Sequence, residues 1–131
     1  MKYKQIIISP IKAVLPDIPE EDADYILCTM YPENLPLQKE NMLVLEFLDT
    51  EDTKHPYAFS LIEARAIRRF IERPDAHDVL FACCDSGESR SAAIAAAIMK
   101  ASGGSDEEIW QSEEYHPNRL VYRILQTVLK E

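Results

Sequence analysis

Five residues, Asp85-Ser86-Gly87-Glu88-Ser89, separate Cys84 from Arg90, and Ser91 follows directly. A cysteine held as its thiolate is a strong nucleophile, and an arginine fork grips two oxygens of a tetrahedral oxyanion in a way that a lysine cannot. The loop between them opens into Ser91 to Lys100 (SAAIAAAIMK), a strong helix former. A helix N-terminus leaves amides unpaired and carries about half an elementary positive charge, so a loop feeding into it is an anion cradle. Gly87 can take backbone angles that other residues resist, which lets the loop wrap its amides inward. The same dipole and guanidinium would stabilise a Cys84 thiolate, lowering its pKa below the ordinary value of about 8.5.

Such a loop needs a strand before it and a sheet beneath it. Gln5 to Ser9, Asp24 to Met30, Asn41 to Leu48 and Asp78 to Cys83 are short, apolar and bounded by Pro, Asp or Asn, so they read as buried strands. Ser60 to Arg73 carries Leu61, Ile62, Ala64, Ile67, Phe70 and Ile71 on one helical face; Ser60 is placed to cap it and Pro74 follows its end. After the loop's helix, which Gly103-Gly104 ends, Asp106 to Ser112 and Asn118 to Lys130 should form two more. This alternation predicts an α/β single domain over residues 1–131, with a mainly parallel central sheet of about four to five strands flanked by helices. Sites in such sheets form at the carboxyl ends of strands, where the Cys84 loop lies.

Cys84-x5-Arg90-Ser91, with Gly87 at the family's glycine position, resembles the signature of the cysteine-dependent protein tyrosine and dual-specificity phosphatases. The likeness covers residues from about Asn41 to the C-terminus, as in a small bacterial-type phosphatase reduced to its catalytic core. His116-Pro117-Asn118-Arg119 also resembles the C-terminal pattern of a group of predicted bacterial tyrosine phosphatases. The resemblance implies that Cys84 attacks phosphorus through a phosphocysteine intermediate. Arg90 and the amides of Asp85, Ser86, Gly87, Glu88, Ser89 and Arg90 would hold the phosphate, and the Ser91 hydroxyl would stabilise the departing thiolate. The family's general acid is an aspartate on a loop about thirty residues upstream, a window holding Asp49 and Asp52 in LDTEDTKHPY. Asp49 is preferred because it directly follows the Asn41 to Leu48 stretch, although either residue could simply cap a turn. His55 in the same loop reads as a loop histidine. The implied substrate is a phosphotyrosine-containing protein or a small aryl phosphate, with no metal or organic cofactor.

The chain departs from the family at three places. Cys83 stands where the family usually has histidine, and Asp85 and Glu88 add carboxylates that should face outward so as not to oppose thiolate and phosphate. Multiply phosphorylated inositols are not expected as substrates, because the loop has no lysine. Alternation aims Cys83 away from the pocket and places Cys28 in the core; either could instead resolve an oxidised Cys84 as a reversible disulfide. Trp110 and Tyr115 read as core or rim aromatics.

With 14 basic and 23 acidic residues the formal net charge is −9, which argues against nucleic acid and anionic membrane surfaces as partners. The acids at residues 19–22, 106–108 and 113–114 read as helix starts and solvated faces. No apolar run reaches membrane-spanning length and the N-terminus lacks a secretory pattern, so a cytoplasmic location with reduced thiols is expected. Three cysteines make no disulfide framework, and none stands at zinc-site spacing. Two other functions compete. One is a module of this fold that binds phosphoprotein without turning it over; the other is a rhodanese-like sulfurtransferase or thiol redox protein, suggested by the Cys83-Cys84 pair. The low-molecular-weight tyrosine phosphatases share Cys-x5-Arg but carry it at the chain's start, which makes their topology the runner-up. The oligomeric state is left open.

Overall fold

In the computed structural model, which describes residues 3–18, 20 and 22–131, the strand that delivers Cys84 runs through the interior of the sheet. Four strands, β1 (Gln5–Pro10), β2 (Ala23–Cys28), β3 (Met42–Leu45) and β4 (Val79–Cys84), pair entirely in parallel in the order β1-β4-β2-β3. β4 therefore sits between β1 and β2, with every ladder group paired, and its carboxyl end opens directly onto the loop.

Side-chain alternation splits the core into two layers. Leu80, Ala82 and Cys84 of β4 face the side covered by α2 (Leu61–Ile71), α3 (Arg90–Ala101) and α5 (Arg119–Leu129), while Cys83 faces the other side. The helix side carries most of the apolar mass, with Ile67, Ile94, Ile98, Val121 and Leu125 all buried. α3 is buried along most of its length, and its run of alanines explains why: a helix of small side chains can lie close to both the sheet and α5. The opposite face is covered by α1 (Ile11–Val14), the 3₁₀ turn Leu15–Asp17 and Ile18, packed on Tyr25, Leu27 and Met42.

The expected α2 is present, with a full capping box. Ser60 Oγ accepts from the Ile62 amide at 3.2 Å, and Glu63 Oε1 accepts from the Ser60 amide at 2.7 Å. Several boundaries differ from the sequence reading. β3 ends at Leu45 rather than Leu48, because the chain leaves the ladder to present the Phe47 carbonyl to Arg90. β2 ends at Cys28 rather than Met30, where Thr29 Oγ1 turns the chain by accepting from the Tyr31 amide. α1 was not expected, since four residues between two prolines are too few to show a helical period. Of the acids expected at helix starts and solvated faces, Glu20 and Asp22 are exposed but open no helix, and Glu21, with Pro19 before it, lies outside the described residues. Asp106 does precede α4 (Glu107–Gln111), at its N-cap position, but its side chain is buried and accepts from Trp110 Nε1 at 3.0 Å and Tyr122 OH at 2.7 Å.

The amino end of the sheet holds a different buried acid. Asp24 at the start of β2 is fully buried and accepts from Tyr3 OH at 2.6 Å, pairs with Arg73 at 2.7 Å and lies 2.7 Å from His77 Nδ1. Burial pushes its pKa up, but the hydrogen bonds from Tyr3, His77 and Arg73 outweigh it, and the net direction is down.

Candidate active site

The loop after β4 turns so tightly over the end of β1 that only glycine fits at its middle. Gly87 has φ of +73°, and a Cβ placed there would lie 2.5 Å from the Pro10 backbone nitrogen. From this turn the chain enters α3 at Arg90, with Ser89 as the N-cap residue. The helix therefore begins one residue before the expected Ser91, which brings the arginine onto its first turn.

Cys84 is fully buried at the foot of that turn. Its Sγ lies 3.1 Å from Ser91 Oγ and accepts from the Gly87 amide at 3.3 Å, with the Ser86 hydroxyl 3.9 Å away. When the sulfur is ionised the Ser91 hydroxyl becomes the donor. Burial alone would raise the thiol's pKa; hydrogen bonding from the Ser91 side chain and from the amides of Ser91, Gly87 and Ser89 overcomes it and lowers the pKa. The stabilisation thus comes first from short-range donors, where the sequence had pointed to the dipole and Arg90. Ser91 is fully buried, so its hydroxyl is committed to the sulfur.

Arg90 is only 7 % exposed. Its Nη1 donates to the Phe47 carbonyl at 2.8 Å, which fixes one corner of the guanidinium beside the Phe47 ring. Among the described residues Nε has no partner although it is buried, and Nη2 lies 3.1 Å from Asp85 Oδ2. The edge that would grip an oxyanion is thus half open and half occupied by an internal carboxylate. Both loop acids are exposed, as expected, but Oδ2 of Asp85 also reaches Arg90. A half-exposed carboxylate within reach of a buried guanidinium recovers charge pairing by turning toward it.

The two aspartates considered as proton donors have separate places. Asp49 Oδ1 accepts from Ser89 Oγ at 2.7 Å and from Asn118 Nδ2 at 2.9 Å, so its carboxyl lies against the anion loop. Asp52 is exposed and its Oδ1 accepts from the Lys54 amide at 3.0 Å, a turn-stabilising role. His55 is likewise a turn residue, its Nδ1 accepting from the Tyr57 amide at 3.0 Å. Asn118 was read from the sequence as a helix start and as part of the His116 to Arg119 resemblance but not as a partner of Asp49, since a contact across 69 positions leaves no local signal.

The remaining cysteines are free and buried on opposite faces. Cys83 packs among Tyr25, Leu27 and Met42, and its pKa is pushed up to about 12 by burial and by the neighbouring Cys84. Cys28 pairs in register with Cys84 across β2 and β4, on the same face, and burial raises its pKa well above the ordinary value. Trp110 is 38 % exposed and packs edge-on against Tyr122. Among the described residues no group of His, Cys, Asp and Glu could hold a metal ion, and no helix is long and apolar enough to cross a membrane.

No family model and no curated protein matches the chain by sequence. Its structure, however, is similar to that of human tyrosine phosphatase-like serine/threonine/tyrosine-interacting protein, with a TM-score of 0.61, 20 % identity, and 94 % of this chain and 89 % of that one covered. It is also similar to PTPMT1, with a TM-score of 0.58 at 14 % identity over 96 % of this chain and 90 % of that one, and to PTPMT1 in complex with PI(5)P at 12 % identity. The chain therefore shares its fold with these phosphatase and phosphatase-like structures across nearly its whole length.

Proposed function

We propose that this chain is a cysteine-dependent phosphomonoester hydrolase acting on phosphotyrosine-containing protein or a small aryl phosphate. The observation that carries the reading is the convergence at the foot of α3: a thiol whose neighbours favour its ionised form, near a buried arginine whose Nε has no partner among the described residues. In this reading the Cys84 thiolate attacks phosphorus as the bond to the leaving oxygen breaks. Arg90 and the loop amides of Asp85 to Arg90 hold the equatorial oxygens, and Asp49 protonates the leaving phenolate. Asp49 then takes a proton from the water that cleaves the phosphorus–sulfur bond, and the Ser91 hydroxyl donates to the departing thiolate. The acidic chain and its three free thiols suit a reducing compartment such as the cytoplasm.

One observation favours a second reading, a module that binds oxyanions or phosphoprotein without turnover: Asp85 occupies Arg90 Nη2, where a substrate oxygen would bind. A pure binding site gains nothing from a thiolate, so hydrolysis remains the better account. Wild type, Cys84→Ser and Cys83→Ser assayed on p-nitrophenyl phosphate, phosphotyrosine and a phosphoserine peptide decide between them. Hydrolysis of the aryl phosphates that requires Cys84 and not Cys83 is expected. Vanadate binding without any turnover would establish the binding module, and turnover of thiosulfate instead would point to sulfur transfer.

A further inference from the structure

We propose that residues His116 to Arg119 form a clip that holds the acid loop against the anion loop, and that Asn118 within it is a positioning residue for Asp49. The proposal rests on the reading of Asp49 as the proton donor. The segment leading into α5 bonds to both loops at once. On one side the His116 amide donates to the Glu88 carbonyl at 2.9 Å and the Asn118 amide to the Ser89 carbonyl at 3.2 Å. On the other, Asn118 Nδ2 donates to Asp49 Oδ1 at 2.9 Å and to the Thr50 carbonyl at 3.1 Å, and the Arg119 amide donates to Glu51 Oε2 at 2.8 Å.

Asn118 is suited to this because every polar part of it is used. Its Oδ1 accepts from the Val121 amide at 3.1 Å and caps α5, which fixes the amide plane and aims Nδ2 at the acid loop. It is 2 % exposed, so its own amide is shielded from water although Asp49 is exposed. Ser89 supports it from the anion loop. Although Ser89 is the N-cap residue of α3, its hydroxyl makes no bond to that helix and donates to Asp49 instead.

Both donors fall on Oδ1 of Asp49, and among the described residues Oδ2 takes no hydrogen bond. That arrangement dictates where the proton is carried. It sits on Oδ2 and passes to the leaving oxygen as the phosphorus–oxygen bond breaks; the water of the second step returns it. Residues 51–54 of the acid loop are exposed, so without the clip Asp49 would have little beyond Ser89 to hold it in place. The cost of losing the clip falls on proton transfer and not on phosphate binding.

The test compares leaving groups. Nitrophenolate departs without a proton, whereas the tyrosine phenolate, with a pKa of about 10, needs one. Asn118→Ser keeps a hydroxyl able to cap α5 but loses the reach to Asp49. It should lower kcat/KM, which reports the leaving-group step alone, about tenfold for phosphotyrosine and no more than about twofold for p-nitrophenyl phosphate, a part of the loss expected from removing the acid altogether. In an Asp49→Asn background the same substitution should add nothing, because its effect passes through Asp49. Equal losses on both substrates, or a further loss in the Asp49→Asn background, would overturn the proposal while leaving phosphatase activity intact. No turnover by wild type on either substrate would overturn the phosphatase reading and this inference with it. Should Asn118→Ser melt below the assay temperature, Asn118→Asp, which retains the acceptor for Val121 and loses the donor, is read by the same ratio.

Discussion

The two ends of the sheet each bury an ionisable group, and they treat it in opposite ways. At the amino end, Asp24 has Tyr3 OH, Arg73 Nη2 and His77 Nδ1 all within 2.7 Å of its oxygens. At the carboxyl end, Cys84 is equally buried, yet its donors sit near an arginine whose Nε has no partner among the described residues and whose Nη2 is held by a half-exposed carboxylate. A closed set of partners gives structure; a set with an open or displaceable position gives a place for a ligand. Both ends use the same strand pair, since β2 supplies Asp24 and Cys28 while β4 ends in Cys84.

The contrast is most sharply broken by exchanging the consequences. Cys84→Ser should reduce aryl phosphate turnover about 10⁴-fold or more with little change in melting temperature, measured by steady-state kinetics and thermal unfolding. Asp24→Asn should do the reverse. Removing one partner of a buried charge pair costs about 3 kcal/mol of stability, read by urea unfolding, while p-nitrophenyl phosphate turnover below the melting range stays near wild type. The pH dependence of stability belongs to the same end. Because the folded Asp24 carboxyl titrates below its unfolded value of about 3.9, its contribution is complete above that value and is lost as pH falls below it. Asp24→Asn should flatten that acid limb.

At the carboxyl end, Gly87→Ala must both leave a φ of +73° and clear the Pro10 nitrogen, so it should distort the cradle and weaken vanadate binding by about tenfold or more, a backbone-strain cost of one to a few kcal/mol. Asp85→Asn is the smallest change and tests whether the arginine edge is displaceable. Removing a half-exposed carboxylate from Arg90 should tighten phosphate or vanadate binding by about threefold to fivefold, the scale of a partly solvated ion pair. Weaker binding would mean that Asp85 orients Arg90 instead of competing for it.

What the sequence made legible follows the same division. The Cys84 to Ser91 loop could be read because its chemistry lies in eight contiguous residues between a strand and a helix, and the parallel α/β class followed from strand and helix periodicity. Asp49 was preferred there to Asp52 only for following the Asn41 to Leu48 stretch; its contacts with Ser89 and Asn118, which Asp52 lacks among the described residues, have no local signal in one polar loop. The same limit hid the Cys28–Cys84 register, which depends on β4 inserting between β1 and β2, and the contact between Asp85 and Arg90. Asn118 was visible as a helix cap and invisible as a partner of Asp49, since its cap acts on Val121 three residues away and its other contact spans the chain.

The central claim is that Cys84 becomes covalently phosphorylated during turnover. It is tested most directly by mixing wild type and Asp49→Asn with an excess of p-nitrophenyl phosphate, denaturing at alkaline pH within milliseconds and mapping the phosphoryl group by peptide mass spectrometry. A phosphoryl adduct on the peptide containing Cys84, confined to that sulfur and not Cys83, and absent from Cys84→Ser, is the predicted result. Hydrolysis that proceeds without any adduct on Cys84, or that persists in Cys84→Ser, would contradict it.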